Sequence, residues 1–254
     1  MRSSPFAWAD RLLAPAPAAK RVAFLSGQPY AHRGLHGPGV PENSRAAFAA
    51  AVRAGHGIEC DVQVSRDGEA FVFHDDRLDR LTAERGPVVE RTAAALSTIG
   101  LSGCNERLPR LEEVLALVAG RVPILIELKA PGRSVARLCM AVRRTLEGYR
   151  GPVAVMSFNP LVCHWFATHA PRTVRGLVVT EEGRRNPRGR VERHLALWRA
   201  RPDFLAYDVR DLPSRFAAAS RMRGLPLLTW TVRDPVAAQA AKTYADQPIY
   251  EQAA

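Results

Sequence analysis

Lysine is almost missing from this chain: three residues out of 254, against 33 arginines. The formal charge of +11 is therefore carried by guanidinium groups. A basic surface can serve nucleic acid, an anionic membrane or attraction of an anionic substrate. The plainest reading is a solvated arginine-rich face; no nucleic-acid partner is expected, and weak contact with an anionic membrane stays open. Cysteine is also scarce. Cys60, Cys104, Cys139 and Cys163 lie far apart with no CxxC pair, which fits a reducing compartment and argues against a zinc centre. No stretch reaches the roughly 18–20 continuous apolar residues of a membrane span. The apolar start breaks at Asp10 and Arg11, short of a secretory signal, so a cytoplasmic protein is expected. There is no internal repeat, low-complexity tail or composition break that would mark a second domain.

What the chain does have is 47% hydrophobic residues, enough for a full core. Short strand-like runs alternate with helical ones, the pattern of a parallel α/β fold. Strands are expected at 29–32, 57–62, 69–73, 122–128, 153–157, 174–179, 203–207 and 225–232. A further run, 247–250, is a rival last strand; if it is real, one of the weaker runs is no barrel member. Helices are expected at 44–54, 110–118, 133–147, 160–168, 191–201, 210–221 and 234–244, with Ser44 and Ser134 as N-caps. That many βα units predicts a single-domain TIM-type (β/α)8 barrel over 29–254, preceded by an arm, 1–28. An open doubly wound sheet is the rival, but no GxGxxG follows the first strand. The Ala/Pro stretch 14–19 reads as stiff and outside the core, and 181–190 as a mobile loop.

The chemistry-bearing residues cluster by spacing. Residues two apart on a strand share a face, so Glu59 and Asp61 project together, as do Glu127 and Lys129. Carboxylates on barrel strands cannot stay ionised and unpaired in a dry interior. A hard divalent cation, Mg²⁺ or Ca²⁺, answers that need better than zinc; a metal-free salt-bridge network with Arg33 and Lys129 is the alternative. His32 ends the first strand and His74 the third, which would set both at the C-terminal rim of a barrel. Two imidazoles there can act as acid and base, while Arg33 and Lys129 hold a phosphate. Glu42 is a candidate partner for Arg33 or, through water, for the metal; Asp76 is one for His74. The other histidines, His36, His56, His164, His169 and His194, read as surface or supporting residues. Hydrolysis of a phosphodiester is the expected chemistry.

The ordered motifs resemble the glycerophosphodiester phosphodiesterase family: Ala31-His32-Arg33-Gly34, Pro41-Glu42-Asn43-Ser44, Ile58-Glu59-Cys60-Asp61-Val62, Val72-Phe73-His74-Asp75-Asp76 and Leu78-Asp79-Arg80-Leu81-Thr82. Leu108-Pro109-Arg110-Leu111-Glu112-Glu113-Val114-Leu115, Ile126-Glu127-Leu128-Lys129, Met156-Ser157-Phe158 and Thr229-Trp230-Thr231-Val232 continue it in register. The resemblance implies a TIM barrel that hydrolyses glycerophosphodiesters to glycerol 3-phosphate and an alcohol. It implies His32 and His74 as catalytic, Glu59, Asp61 and Glu127 as metal ligands, and Arg33, Lys129 and Trp230 as substrate contacts. Two departures stand out: Ser44 in place of the usual threonine, and Gln247-Pro248-Ile249-Tyr250-Glu251 in place of a Gly-Ile-Ile-Thr-Asp-like end. Two other readings remain: lysophospholipase D-like action at a membrane, with Phe6 and Trp8 touching lipid, and a non-catalytic barrel that binds polyanions.

Overall fold

The structure is a computed structural model that describes residues 5–252. The chain forms two compact units. One is Tyr30–Val153 with the C-terminal tail from Glu251; the other is Ala154–Tyr250 with the N-terminal segment up to Pro29.

In the first unit, β1 (Tyr30–His32), β2 (Gly57–Val64) and β4 (Ile124–Leu128) run parallel in the order β1–β2–β4, and β3 (Ala70–Val72) pairs antiparallel with β2. Every residue of these strands is buried, as the continuous apolar runs require of a sheet covered on both faces. The second unit holds all but the first residue of β5 (Val153–Ser157), together with β6 (Val174–Val179), β7 (Phe204–Asp208), β8 (Leu227–Val232) and β9 (Gln247–Tyr250). These pair in chain order, all parallel. Three parallel strands in one unit and five in the other are the strand complement of a (β/α)8 barrel. The fold class is the expected TIM-type barrel.

The run 247–250 is thus a true strand, and the run at 69–73 is the one outside the parallel set. The cause is local. Asp67-Gly68 turns the chain, with Gly68 at φ 90°, and β3 runs back along β2 so that Val72 lies opposite Val62. His74 therefore follows a returning strand, and Phe73 N–H donates to the Asp61 carbonyl at 2.9 Å. The expected position at the C-terminal end of a parallel strand is corrected: the hairpin carries His74 back to the level of Asp61.

Helix boundaries differ from expectation where caps decide. Ser44 caps Arg45–Ala54 by accepting Ala47 N–H at 3.1 Å. Ser134 does not cap; that helix is Ala136–Leu146, with Val135 at its N-cap. The segment read as a mobile loop, 181–190, is a turn that runs into a helix at its end: Asn186 accepts Gly189 N–H and Pro187 opens Pro187–Ala200. Before it, Glu181 N–H donates to Asp211 and the Glu181 carboxylate takes hydrogen bonds from Tyr207 and Ser214.

The N-terminal segment is no free arm either. It forms a helix, Ala7–Leu13, whose buried Asp10 accepts from Trp198 Nε1–H at 2.8 Å and meets His194 Nδ1 at 2.8 Å. Ala14 is fully buried in the second unit's core. His194, read as a surface or supporting residue, is the latter: it is 4% exposed and packs on Phe6 and Phe216. Arg21 forks onto Asp203 and donates to three carbonyls of 171–173, which ties the segment to the starts of β6 and β7. Among the described residues no helix is long and apolar enough to cross a membrane.

Candidate active site

Register builds the site. His32 lies beside Glu59, and Asp61 beside Glu127, so facing residues on neighbouring strands come within about 5 Å. Ligand oxygens of Glu59, Asp61 and Glu127 all lie within 4.8 Å of one another, and all three residues are buried. Two cations answer them. Lys129 Nζ sits 2.8 Å from Asp61 Oδ1 and 2.5 Å from Glu127 Oε1. Arg33 Nε lies 3.2 Å from Asp61 Oδ2, and Arg33 N–H donates to Glu59 Oε2 at 3.0 Å.

The turn after β1 makes this possible. Arg33 and Gly34 both take positive φ, 58° and 80°. A Cβ on Gly34 would come within 2.8 Å of the Ala47 backbone, so only glycine lets the turn pack against the helix that Ser44 caps. Asn43, also at positive φ, a conformation that short polar side chains tolerate, donates to Asp61 Oδ2 at 2.9 Å. Its carbonyl oxygen accepts Asp61 N–H at 3.3 Å.

Charge in the cluster is not balanced. Glu59 Oε1 is buried and accepts no hydrogen bond. Burial, then the neighbouring Asp61 and Glu127 charges, push the Glu59 carboxyl well above the usual carboxylate range. Burial also raises Glu127, only partly offset by Lys129. Asp61 goes the other way: burial acts to raise it, but Lys129 and Arg33 together hold it far below its ordinary value. An orphaned carboxylate oxygen beside two others of the same sign is a donor set that a hard divalent cation fits.

Each histidine has a carboxylate behind it. His32 Nδ1 is 2.6 Å from Glu251 Oε1, and its Nε2 lies 3.9 Å from Glu59 Oε2. His74 Nδ1 is 2.7 Å from Asp75 Oδ1. Burial lowers both imidazoles below their ordinary value. The partner of His74 is therefore Asp75, while Asp76, the expected candidate, is exposed and accepts Val88 N–H through its carbonyl. Glu42 pairs with Arg33 at 2.7 Å. Trp230 belongs to the second unit, where its Nε1–H donates to the Ala206 carbonyl and its ring meets Phe158 edge-on at 5.3 Å.

Sequence reasoning missed Glu251, Asn43 and the Asp67-Gly68 hairpin. The hairpin had a signal in its Asp-Gly pair between apolar runs. Glu251 had one too, since it stands where the resembled family ends its last strand in an acid.

Comparison with known proteins gives a family that covers most of the chain. The family model described as "Glycerophosphoryl diester phosphodiesterase family" matches residues 32–249. The glycerophosphodiester phosphodiesterase of Bacillus altitudinis is 38% identical over 107 residues, 39% of this chain and 43% of that protein. The glycerophosphodiester phosphodiesterase of Caldanaerobacter subterraneus subsp. tengcongensis is 33% identical over 161 residues, 58% of this chain and 65% of that protein. The matches thus span less than two thirds of these relatives. Among solved structures, an Oleispira antarctica phosphodiesterase in complex with the product sn-glycerol-3-phosphate aligns with TM-score 0.75 and 23% identity, covering 89% of this chain and 93% of that one. The Thermotoga maritima glycerophosphodiester phosphodiesterase aligns with TM-score 0.68 and 25% identity, covering 88% and 94%.

Proposed function

Because the chain belongs to the glycerophosphoryl diester phosphodiesterase family, we propose that it hydrolyses glycerophosphodiesters to glycerol 3-phosphate and an alcohol. The observation that carries the reading is the buried Glu59–Asp61–Glu127 cluster with an unsatisfied Glu59 oxygen, flanked by an imidazole tied to a carboxylate. Glu59, Asp61 and Glu127 would hold Mg²⁺ or Ca²⁺, which when bound supplies Lewis-acid neutralisation of phosphate charge.

The rest is the work of this chain's side chains. Arg33 offers the phosphate a planar fork and Lys129 a point charge. The carboxylate at each Nδ1 fixes the proton there and leaves Nε2 free. One Nε2 then takes a proton from the attacking water, or from a substrate hydroxyl whose cyclic phosphate water opens in a second step, and the other gives one to the departing alkoxide. Trp230 is retained as a substrate contact on the family resemblance. The four cysteines are free, which suits a reducing compartment, so we assign the reaction to the cytoplasm. A lysophospholipid carries the same phosphodiester, so the product separates the two substrate classes.

The test is product identification. Purified protein is incubated with glycerophosphocholine, glycerophosphoethanolamine, glycerophosphoglycerol and a lysophospholipid, with Mg²⁺ or Ca²⁺ present, and products are assigned by phosphorus NMR. Glycerol 3-phosphate from a deacylated diester is the expected result. Turnover of the lysophospholipid alone would move the assignment to that substrate, and no turnover at all would defeat it.

A further inference from the structure

We propose that Arg80 is a positioning residue of this site, a single guanidinium that fixes the carboxylate behind His74 and the carboxylate behind Arg33 at once. The inference rests on the function proposed above and deepens it.

The geometry is a double fork. On one edge, Arg80 Nε donates to Asp75 Oδ2 at 2.6 Å and Nη2 to Asp75 Oδ1 at 3.0 Å. On the next edge, Nη1 donates to Glu42 Oε2 at 3.1 Å and Nη2 to Glu42 Oε1 at 2.7 Å. Beyond Asp75 stands His74, 2.7 Å away through Nδ1. Beyond Glu42 stands Arg33 Nη1, also at 2.7 Å. The chain His74–Asp75–Arg80–Glu42–Arg33 thus joins one candidate acid–base group to one candidate phosphate holder, although the two side chains come from different sequence motifs.

An exposed ion pair is ordinarily worth little, because ordering two long side chains costs about what the charges return. Three observations set this one apart. Arg80 ends the short 3-10 turn Leu78–Arg80, and Leu78 is fully buried in a core with Phe71, Phe73 and Val88. Thr82 Oγ1–H donates to the Leu78 carbonyl at 2.9 Å, and Leu78 N–H to the Gly86 carbonyl at 3.0 Å, so the backbone under Arg80 is fixed. Both carboxylates are half-buried, and each also meets a residue of the site, His74 or Arg33. The hydrogen bond from Arg80 is also the leading reason that the Asp75 carboxyl is held at about 2. Asp75 consequently stays an acceptor for His74 Nδ1–H at any working pH.

A planar cation with five donors can fill two forks; an ammonium cannot. That distinction supplies the experiment. Arg80→Lys and Arg80→Gln are compared with wild type in three readouts: urea midpoint, steady-state kinetics on a diester the wild type turns over, and nitrogen-15 shifts of the His74 ring without substrate. We expect folded variants whose kcat/KM falls by about 10–100-fold, the range for groups that orient a functional side chain. Lower kcat from a loosened His74 and higher KM from a loosened Arg33 should both contribute. The His74 ring should lose its fixed Nδ1–H form and become a mixture of tautomers, and lysine should not rescue it. Unchanged His74 shifts with unchanged kcat and KM in Arg80→Gln would make Arg80 an ordinary surface ion pair and overturn the proposal, whatever happens to stability. Wild-type kinetics in Arg80→Lys would overturn the double fork. Should wild type turn over no diester, the proposed function fails, while the His74 shifts still decide whether Arg80 holds that ring.

Discussion

At the residue scale, the site works by giving every reactive atom one fixed neighbour. His32 has Glu251 and His74 has Asp75. Replacing either histidine by alanine should lower kcat by about 10²–10⁴-fold, the usual share of general acid–base catalysis, with the far-ultraviolet circular dichroism unchanged. Near-native turnover in either variant would remove that residue from the chemistry. Asp75 also makes a stability statement. Its folded carboxyl titrates at about 2, against about 3.9 for an unfolded aspartate. Above about pH 4 both forms are ionised and the stabilisation is complete; as pH falls from about 4 to 2 the unfolded chain binds the extra proton and the stabilisation is lost. Urea midpoints of wild type and Asp75→Asn should therefore differ at pH 5 and converge towards pH 2. A gap that stays constant would deny the pairing its role. The catalytic candidates and the carboxylate cluster were legible in sequence because each motif is local and ordered. Glu251 was not, since its partner lies 219 residues away, nor was the link from Arg80 to Glu42, 38 residues away, because no local spacing announces a tertiary hydrogen bond.

Elements place those residues through backbone conformation as much as through hydrophobic pattern. The turn Arg33-Gly34 delivers a backbone N–H to Glu59 only because Gly34 sits against the first turn of Arg45–Ala54. Ser44→Ala removes one helix cap and should cost about 1 kcal/mol. Gly34→Ala must strain a positive φ and displace the Ala47 backbone, so it should cost more than the cap and lower activity as well. Chemical denaturation of the two variants checks the order, and equal losses would refute it. Parallel strands were readable to within a few residues from their apolar runs. The hairpin β2–β3 was not read as such, because a buried antiparallel strand and a buried parallel one carry the same composition. Ser134 failed as a cap for a related reason: a serine before a helical pattern is permissive, and the helix starts at Ala136, with Val135 and Leu138 buried.

For the whole molecule, the count of parallel strands and the alternation with helices sufficed to name the barrel. The N-terminal segment was misjudged because its Ala/Pro composition says nothing about Asp10 meeting His194 and Trp198. Asp10→Ala would leave both ring N–H groups without their acceptor, at about 1–3 kcal/mol for the buried His194 and less for the half-buried Trp198. It should lower the melting temperature while kcat per folded molecule is unchanged. The account as a whole, though, turns on whether the three buried carboxylates hold a cation. The most direct measurement is turnover of one accepted glycerophosphodiester after exhaustive chelation and again after restoring Mg²⁺ or Ca²⁺, in wild type and in Glu59→Gln. Activity that disappears on chelation, returns with one ion in wild type, and does not return in Glu59→Gln is the expected result. Full turnover in the chelated enzyme would show that Glu59, Asp61 and Glu127 act with Arg33 and Lys129 alone, and the central claim would fall.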